Sequence, residues 1–191
     1  MLDRLRGFMW DVVCEGLFAH YRTSAGIAER HLGLASGALV LDVGGGTGGV
    51  GDRLARDGVT VVVVEPSGSL VAAGARRRRA VRFVQGRGEA LPVRDGSADA
   101  VLFVEVLHHV PDGAGALREA ARVLRPGGRV LIEETEFAGS PGRVARYWAE
   151  RVLTNGVWPR SRAGLDADLR SLGFLPTPLE DEGFVILGRR G

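Results

Sequence analysis

Two carboxylates and a run of glycines carry the spacing of a small-molecule site. Leu39, Val40 and Leu41 lead into Asp42, and the chain continues Val43-Gly44-Gly45-Gly46-Thr47-Gly48-Gly49. Glycine is required where a backbone turns through left-handed φ or where a ligand approaches it closely. Glu65 closes a second apolar run, Val59–Val64. A carboxylate offers acceptors and no donor, so it suits a sugar diol or an ammonium group. Gly44, Gly46 and Gly49 also satisfy the dinucleotide pattern G-x-G-x-x-G, with Glu65 at about the spacing of a ribose-binding acid. Asp42 argues the other way. A nicotinamide site continues its first strand with an apolar residue, and a carboxylate beside the turn favours an ammonium over a pyrophosphate.

The elements that must position these residues follow from the pattern. Ala38–Val43 reads as a strand, Gly44–Gly48 as a tight turn and about Gly49 to Arg56 as a helix. VTVVVV at 59–64 and ADAVLFV at 98–104 have almost no polar alternation, as in strands buried on both faces of a parallel sheet. Further strands are expected at Val81–Gln85 and Arg129–Glu133, with a helix at Leu70–Arg79 and another whose core is Leu117–Leu124, the latter stopped by Pro126-Gly127-Gly128. Strand alternating with helix implies a doubly wound α/β domain. Beyond Glu136 the pattern changes to helices at Arg143–Leu153 and about Ala163–Leu172, then two short strands, Phe174–Leu179 and Phe184–Leu187, as an antiparallel hairpin. Val144, Trp148 and Val152 fall on one helical stripe, with Tyr147 and Trp158 nearby. They are expected either to close the core or to face a substrate with apolar bulk. Leu2 to about Leu34 reads as one or two amphipathic helices, packing on the domain or capping its pocket.

Composition narrows the classes. A length of 191 residues is one domain by the usual size prior. The single cysteine, Cys14, rules out a disulfide framework, and the four histidines lack metal-ligand spacing, so no metal is expected. Net charge is only +2, and every one of the 25 basic residues is arginine. No basic face interleaved with aromatics stands out, which argues against nucleic acid. The run Arg76–Arg79 reads as a solvated helix end rather than a phosphate or lipid patch. There is no signal-peptide core and no membrane-spanning run, so a cytoplasmic protein is expected.

The series of segments resembles a known family. DVGGGTG at 42–48, VVVVEPS ending its strand in Glu65, GRGEALPVRDGSADAVLFVEVLHHV at 86–110 and REAARVLRPGGRVLIEE at 118–134 look like the motifs of class I S-adenosylmethionine-dependent methyltransferases. They are most similar to the quinone- and sterol-type small-molecule subgroup. The resemblance covers roughly residues 37–136. It implies a Rossmann-like sheet of seven strands in the order 3-2-1-4-5-7-6, the last strand antiparallel. The expected organisation is one domain, with a helical cap at 1–36, a cofactor-binding core at 37–136, and substrate-side helices with the closing hairpin at 137–191.

The resemblance also implies roles. Gly44, Gly46 and Gly48 would let the backbone lie under the methionine and ribose of S-adenosylmethionine. Asp42 would face its ammonium, directly or through water, and Glu65 its ribose diol. Gly88 and Glu89 belong to the adenine segment, where family members commonly carry an acid at the place of Arg87. Arginine has no acceptor, so the Gly88 backbone, Glu89, or stacking by Arg87 would have to hold the base. His108 and His109 follow the fourth strand, near the expected sulfonium. His108 would serve as a general base for a hydroxyl or ammonium acceptor, or else be structural. Glu105 and Glu133, from their places at strand ends, are expected either to line the pocket wall or to face solvent. The implied activity is methyl transfer to a small molecule. Other readings are a non-catalytic cofactor-binding partner subunit or a nicotinamide-dependent oxidoreductase. The oxidoreductase leaves Asp42 and the LHHV and RPGG segments unexplained and, in a chain without lysine, lacks a Tyr-x-x-x-Lys pair.

Overall fold

The computed structural model describes residues 19–55, 58–136, 141–153, 156–182 and 184–191. Seven strands form one sheet: β1 (Leu39–Val43), β2 (Thr60–Glu65), β3 (Arg82–Gln85), β4 (Ala98–Val104), β5 (Leu124–Glu133), β6 (Phe174–Pro178) and β7 (Val185–Arg190). Their order is β3-β2-β1-β4-β5-β7-β6, as the resemblance implied. The first five pair in parallel, whereas β7 runs antiparallel to both β5 and β6. β3 and β6 are the two margins.

Helices cover both faces. They are α1 (Ala19–Leu32), α2 (Gly49–Leu54), α3 (Gly68–Arg77), α4 (Gly113–Val123), α5 (Pro141–Leu153) and α6 (Arg162–Ser171). Because β4 is apolar at every position but Asp99, its successive side chains serve opposite cores. Val101 and Phe103 join Leu117 of α4 and Leu165 and Leu169 of α6. Ala100 and Leu102 join Ile27 and Leu32 of α1 and Val50 and Leu54 of α2 on the other face. The sheet thereby holds its carboxyl ends, and whatever stands on them, in a rigid row.

Several boundaries differ from the sequence reading for local reasons. α4 starts at Gly113, ahead of the core read at Leu117–Leu124, because Asp112 accepts the Gly115 N–H at 2.8 Å and caps a first turn rich in glycine. β5 begins at Leu124 and takes in Arg125-Pro126-Gly127-Gly128 as an irregular stretch, with Gly127 at φ 76° and the ladder to β4 shifting register between Ala98 and Ala100. The stretch between β6 and β7 holds a 3₁₀ turn at Glu180–Glu182. α1 packs its buried Ala25, Ile27, Ala28 and Leu32 onto the sheet beside α2. Residues 1–18 of the expected cap lie outside the described residues. Val144 and Trp148 do not close the core: they are 45% and 58% exposed.

Candidate functional site

Asp42 stands one residue before the last position of β1, within its buried run, and is 1% exposed. The chain leaves β1 through Gly44, Gly46 and Gly48, with φ of 70°, 58° and 81°, in the left-handed region that only glycine enters freely. A Cβ at Gly44 would lie 2.1 Å from a Val106 methyl, and one at Gly48 would lie 2.7 Å from the Phe83 ring. Both positions are closed by protein. A Cβ at Gly46 would meet nothing within 4 Å. The turn is therefore sealed at its two ends and open at its middle, as a backbone platform for a ligand must be.

The carboxylates hold this platform. Asp42 accepts the Gly51 N–H at 3.2 Å in the first turn of α2, and its carboxyl lies so close under Gly45 that no side chain fits there. Burial pushes the Asp42 carboxyl up to about 7, against the lowering effect of the Gly51 N–H and with a further upward push from Glu65. Glu65, 6% exposed, accepts the Gly46 N–H at 3.2 Å on one oxygen and the Ser67 N–H at 2.9 Å on the other. Burial raises its pKa too, offset in part by the Ser67 and Gly46 N–H groups. A carboxylate has about four acceptor sites. Two serve the backbone, and two remain for a diol.

The next segment stands beside the turn. Arg87 is exposed, and its carbonyl accepts the Ala90 N–H at 3.2 Å in a tight loop. Gly88 is buried there against Val43 and Ala116, and Glu89 is half-buried. The loop is anchored from behind by Arg122, which donates to the carbonyls of Leu91 and Val93 at 2.9 Å each. Glu119 accepts from Arg122 and from the Leu91 N–H, and its pKa is lowered, chiefly by its bond to Arg122.

The end of β4 brings the remaining candidates together. Glu105 has φ 53°, alone in that region among the described non-glycine residues, and its carboxylate accepts from the Thr135 hydroxyl. This kink lays Val106 on Gly44. His108 is buried, with Nδ1 at 2.6 Å from Glu134 Oε2, while Glu134 Oε1 accepts the Leu107 N–H at 2.8 Å. The His108 carbonyl accepts the Trp158 N–H at 2.7 Å. Glu133 accepts the Ser24 hydroxyl of α1 at 3.0 Å. Sequence reasoning did not find Glu134 or Val106. The available signal for Glu134 was an acid just past the end of an apolar strand; for Val106 there was none. No group of three or more His, Cys, Asp or Glu placed to hold a metal occurs among the described residues.

A mostly parallel sheet whose first strand opens into a sealed glycine turn, with a buried acid before it and another at the end of the adjacent strand, defines a nucleoside-cofactor-binding α/β protein. Its antiparallel β7 marks the class I methyltransferase type. A family model described as a methyltransferase domain matches residues 41–132. The chain is 34% identical over 174 residues to a ubiquinone/menaquinone biosynthesis C-methyltransferase of Methylobacterium nodulans, covering 79% of this chain and 67% of that one. It is 45% identical over 103 residues to a demethylmenaquinone methyltransferase of Beutenbergia cavernae, covering 54% of this chain but only 43% of the relative's length. The crystal structure of an S-adenosylmethionine-dependent methyltransferase from Thermotoga maritima, described as a possible histamine N-methyltransferase, superposes over all of both chains with a TM-score of 0.76 at 21% identity. The chain belongs to the S-adenosylmethionine-dependent methyltransferase family. The residues fit that cofactor: an open glycine platform, a diol acceptor and a buried acid nearby.

Proposed function

We propose that the protein catalyses methyl transfer from S-adenosylmethionine to a small-molecule acceptor of the quinone type. The observation that carries this reading is Glu65, buried at the rim of the open turn with two acceptor sites to spare. The quinone class is supported by the relatives named for demethylmenaquinone and ubiquinone/menaquinone methylation. The donor supplies a methyl group on a positively charged sulfur. The chain's own residues bind, orient and exclude water. Gly46 lets the donor lie on the backbone, Glu65 accepts from the ribose hydroxyls, and Asp42 adds negative charge beneath the turn for the donor's ammonium. Gly88 and Glu89 stand at the base.

Transfer to a ring carbon depends mainly on alignment and desolvation. The burial of His108 and its bond to Glu134 support a positioning role. Together they pin the segment that presses Val106 onto Gly44.

Calorimetric titration with S-adenosylmethionine tests the reading. Binding by the unsubstituted chain, weakened about tenfold or more in Glu65→Ala through lost charge-assisted hydrogen bonds, is the expected result. Undiminished binding in Glu65→Ala, or binding of NADH alone, would sink it. In the same titration Arg87→Asp is expected to tighten the donor by up to about tenfold, the worth of one added hydrogen bond to the adenine amino group. Unchanged affinity would mean the base is held elsewhere.

A further inference from the structure

One large aromatic beside the donor site is held in place yet left half uncovered. Trp158 is 41% exposed, so it does not close the core, whereas Val157 before it is buried. The loop that carries it is tied to the segment after β4 at two points. The Trp158 N–H donates to the His108 carbonyl at 2.7 Å, and His109 Nδ1 donates to the Gly156 carbonyl at 3.3 Å. His108 is two residues on from Val106, which rests on Gly44 of the donor turn. Further along, Arg160 lies against Gly113 at the start of α4, the helix whose Ala116 faces Gly88 of the adenine segment. The loop therefore bridges two stretches that both touch the donor site. Its tryptophan is also stiff. Pro159 restricts Trp158 to extended backbone. Gly156 has φ 137°, and a Cβ there would lie 2.5 Å from the edge of the indole, so only glycine seats the ring in this position.

We propose that Trp158 is the wall on which the methyl acceptor stacks, and that the acceptor presents a flat aromatic ring to it. The proposal deepens the methyl-transfer reading above and rests on it. An indole offers a wide apolar face at low entropic cost, and its preferred partner is another ring in an offset stack. A head-group amine or a sugar hydroxyl brings no such ring. Methyl transfer needs the accepting atom held in line with the donor's sulfur. A tryptophan fixed by its backbone bond, by the following proline and by the seat at Gly156 can hold a ring in one plane, which a freely rotating side chain cannot. Ring class is thus read by Trp158, and donor class by Glu65 and the glycine turn.

Calorimetric titration of the full chain with a matched pair of probes, in the presence of S-adenosylhomocysteine, tests this. One probe is 1,4-dihydroxynaphthalene, kept under nitrogen. The other is decahydronaphthalene-1,4-diol, which has the same skeleton and no π system. The flat probe is expected to bind about tenfold more tightly than the saturated one. Trp158→Ala should abolish that preference and Trp158→Phe should keep most of it, with S-adenosylmethionine affinity unchanged in both. Gly156→Ala, which unseats the indole, should weaken the flat probe in the parent and add nothing once Trp158→Ala is present. No binding of the flat probe, equal binding of the two probes, or a preference that survives Trp158→Ala would overturn the proposal. So would a loss of S-adenosylmethionine affinity in Trp158→Ala as large as the loss of ring affinity, because the indole would then serve the donor. Failure of the unsubstituted chain to bind S-adenosylmethionine would count against methyl transfer, while the ratio of the two probes still decides whether Trp158 holds a flat ring.

Discussion

Asp42 is the residue whose chemistry depends most on where the fold puts it. Its carboxyl is pushed up to about 7 by burial, so the native chain keeps a proton that the unfolded chain releases near the ordinary value of 3.8. The native state then binds more protons than the unfolded one between those values, and stability contributed by this group falls as pH rises through that window. Asp42→Asn keeps an acceptor for the Gly51 N–H and removes the titration. We therefore expect Asp42→Asn to be more stable than the parent well above neutral pH, with the difference vanishing as pH falls towards 4. Urea unfolding across pH reads this directly. The donor, being cationic, favours the ionised acid, so its affinity for the parent should rise with pH up to about 7 and then level off. A flat profile, or one shared by Asp42→Asn, would show that Asp42 does not sense the ligand.

At the scale of elements, the strand–turn–helix unit from β1 to α2 separates two kinds of glycine. Gly44 has φ 70° and no room for a Cβ beside Val106, whereas Gly46 has φ 58° and open space. Alanine in the left-handed region costs about 1–2 kcal/mol. Gly44→Ala adds a clash with the segment pinned by Glu134, so it should lose both stability and donor binding. Gly46→Ala should lose donor binding by about tenfold or more for a stability cost near the strain alone. Thermal melting paired with calorimetry checks the contrast, and equal melting losses would remove it.

Much of this unit was legible. Two acids at the ends of apolar runs and a glycine pattern mark a candidate site by local rules, and β4 spans the residues read from its apolar run. The helix starts were less legible, because caps such as Asp112 act through single hydrogen bonds that hydrophobic periodicity does not register. The His108–Glu134 bond joins residues 26 positions apart, and Ser24–Glu133 joins residues 109 apart. Such pairs exist only once β4 and β5, or α1 and β5, lie side by side, and no spacing rule announces them.

At the scale of the whole molecule, the sheet order came from resemblance and not from periodicity, which says that strands are buried but not which ones are neighbours. The two-core arrangement then follows from β4's unbroken apolar sequence, since alternate residues must find partners on both faces. The exposure of α5 could not be read in advance. An apolar stripe at helical spacing looks the same whether it meets a core or a surface.

The margins of the sheet have one more consequence. β6 pairs with β7 alone, and its sequence, FLPTP, alternates proline at Pro176 and Pro178. Proline in a ladder position facing β7 would break a bond, so the alternation sets the missing N–H groups along the outer side. The opposite margin, β3, is four residues long and begins with the exposed Arg82. A foreign strand arriving at either side finds too few donors to zip onto. The sheet is finite by construction, and crowded copies of this chain are protected against growing into a fibril by their own borders.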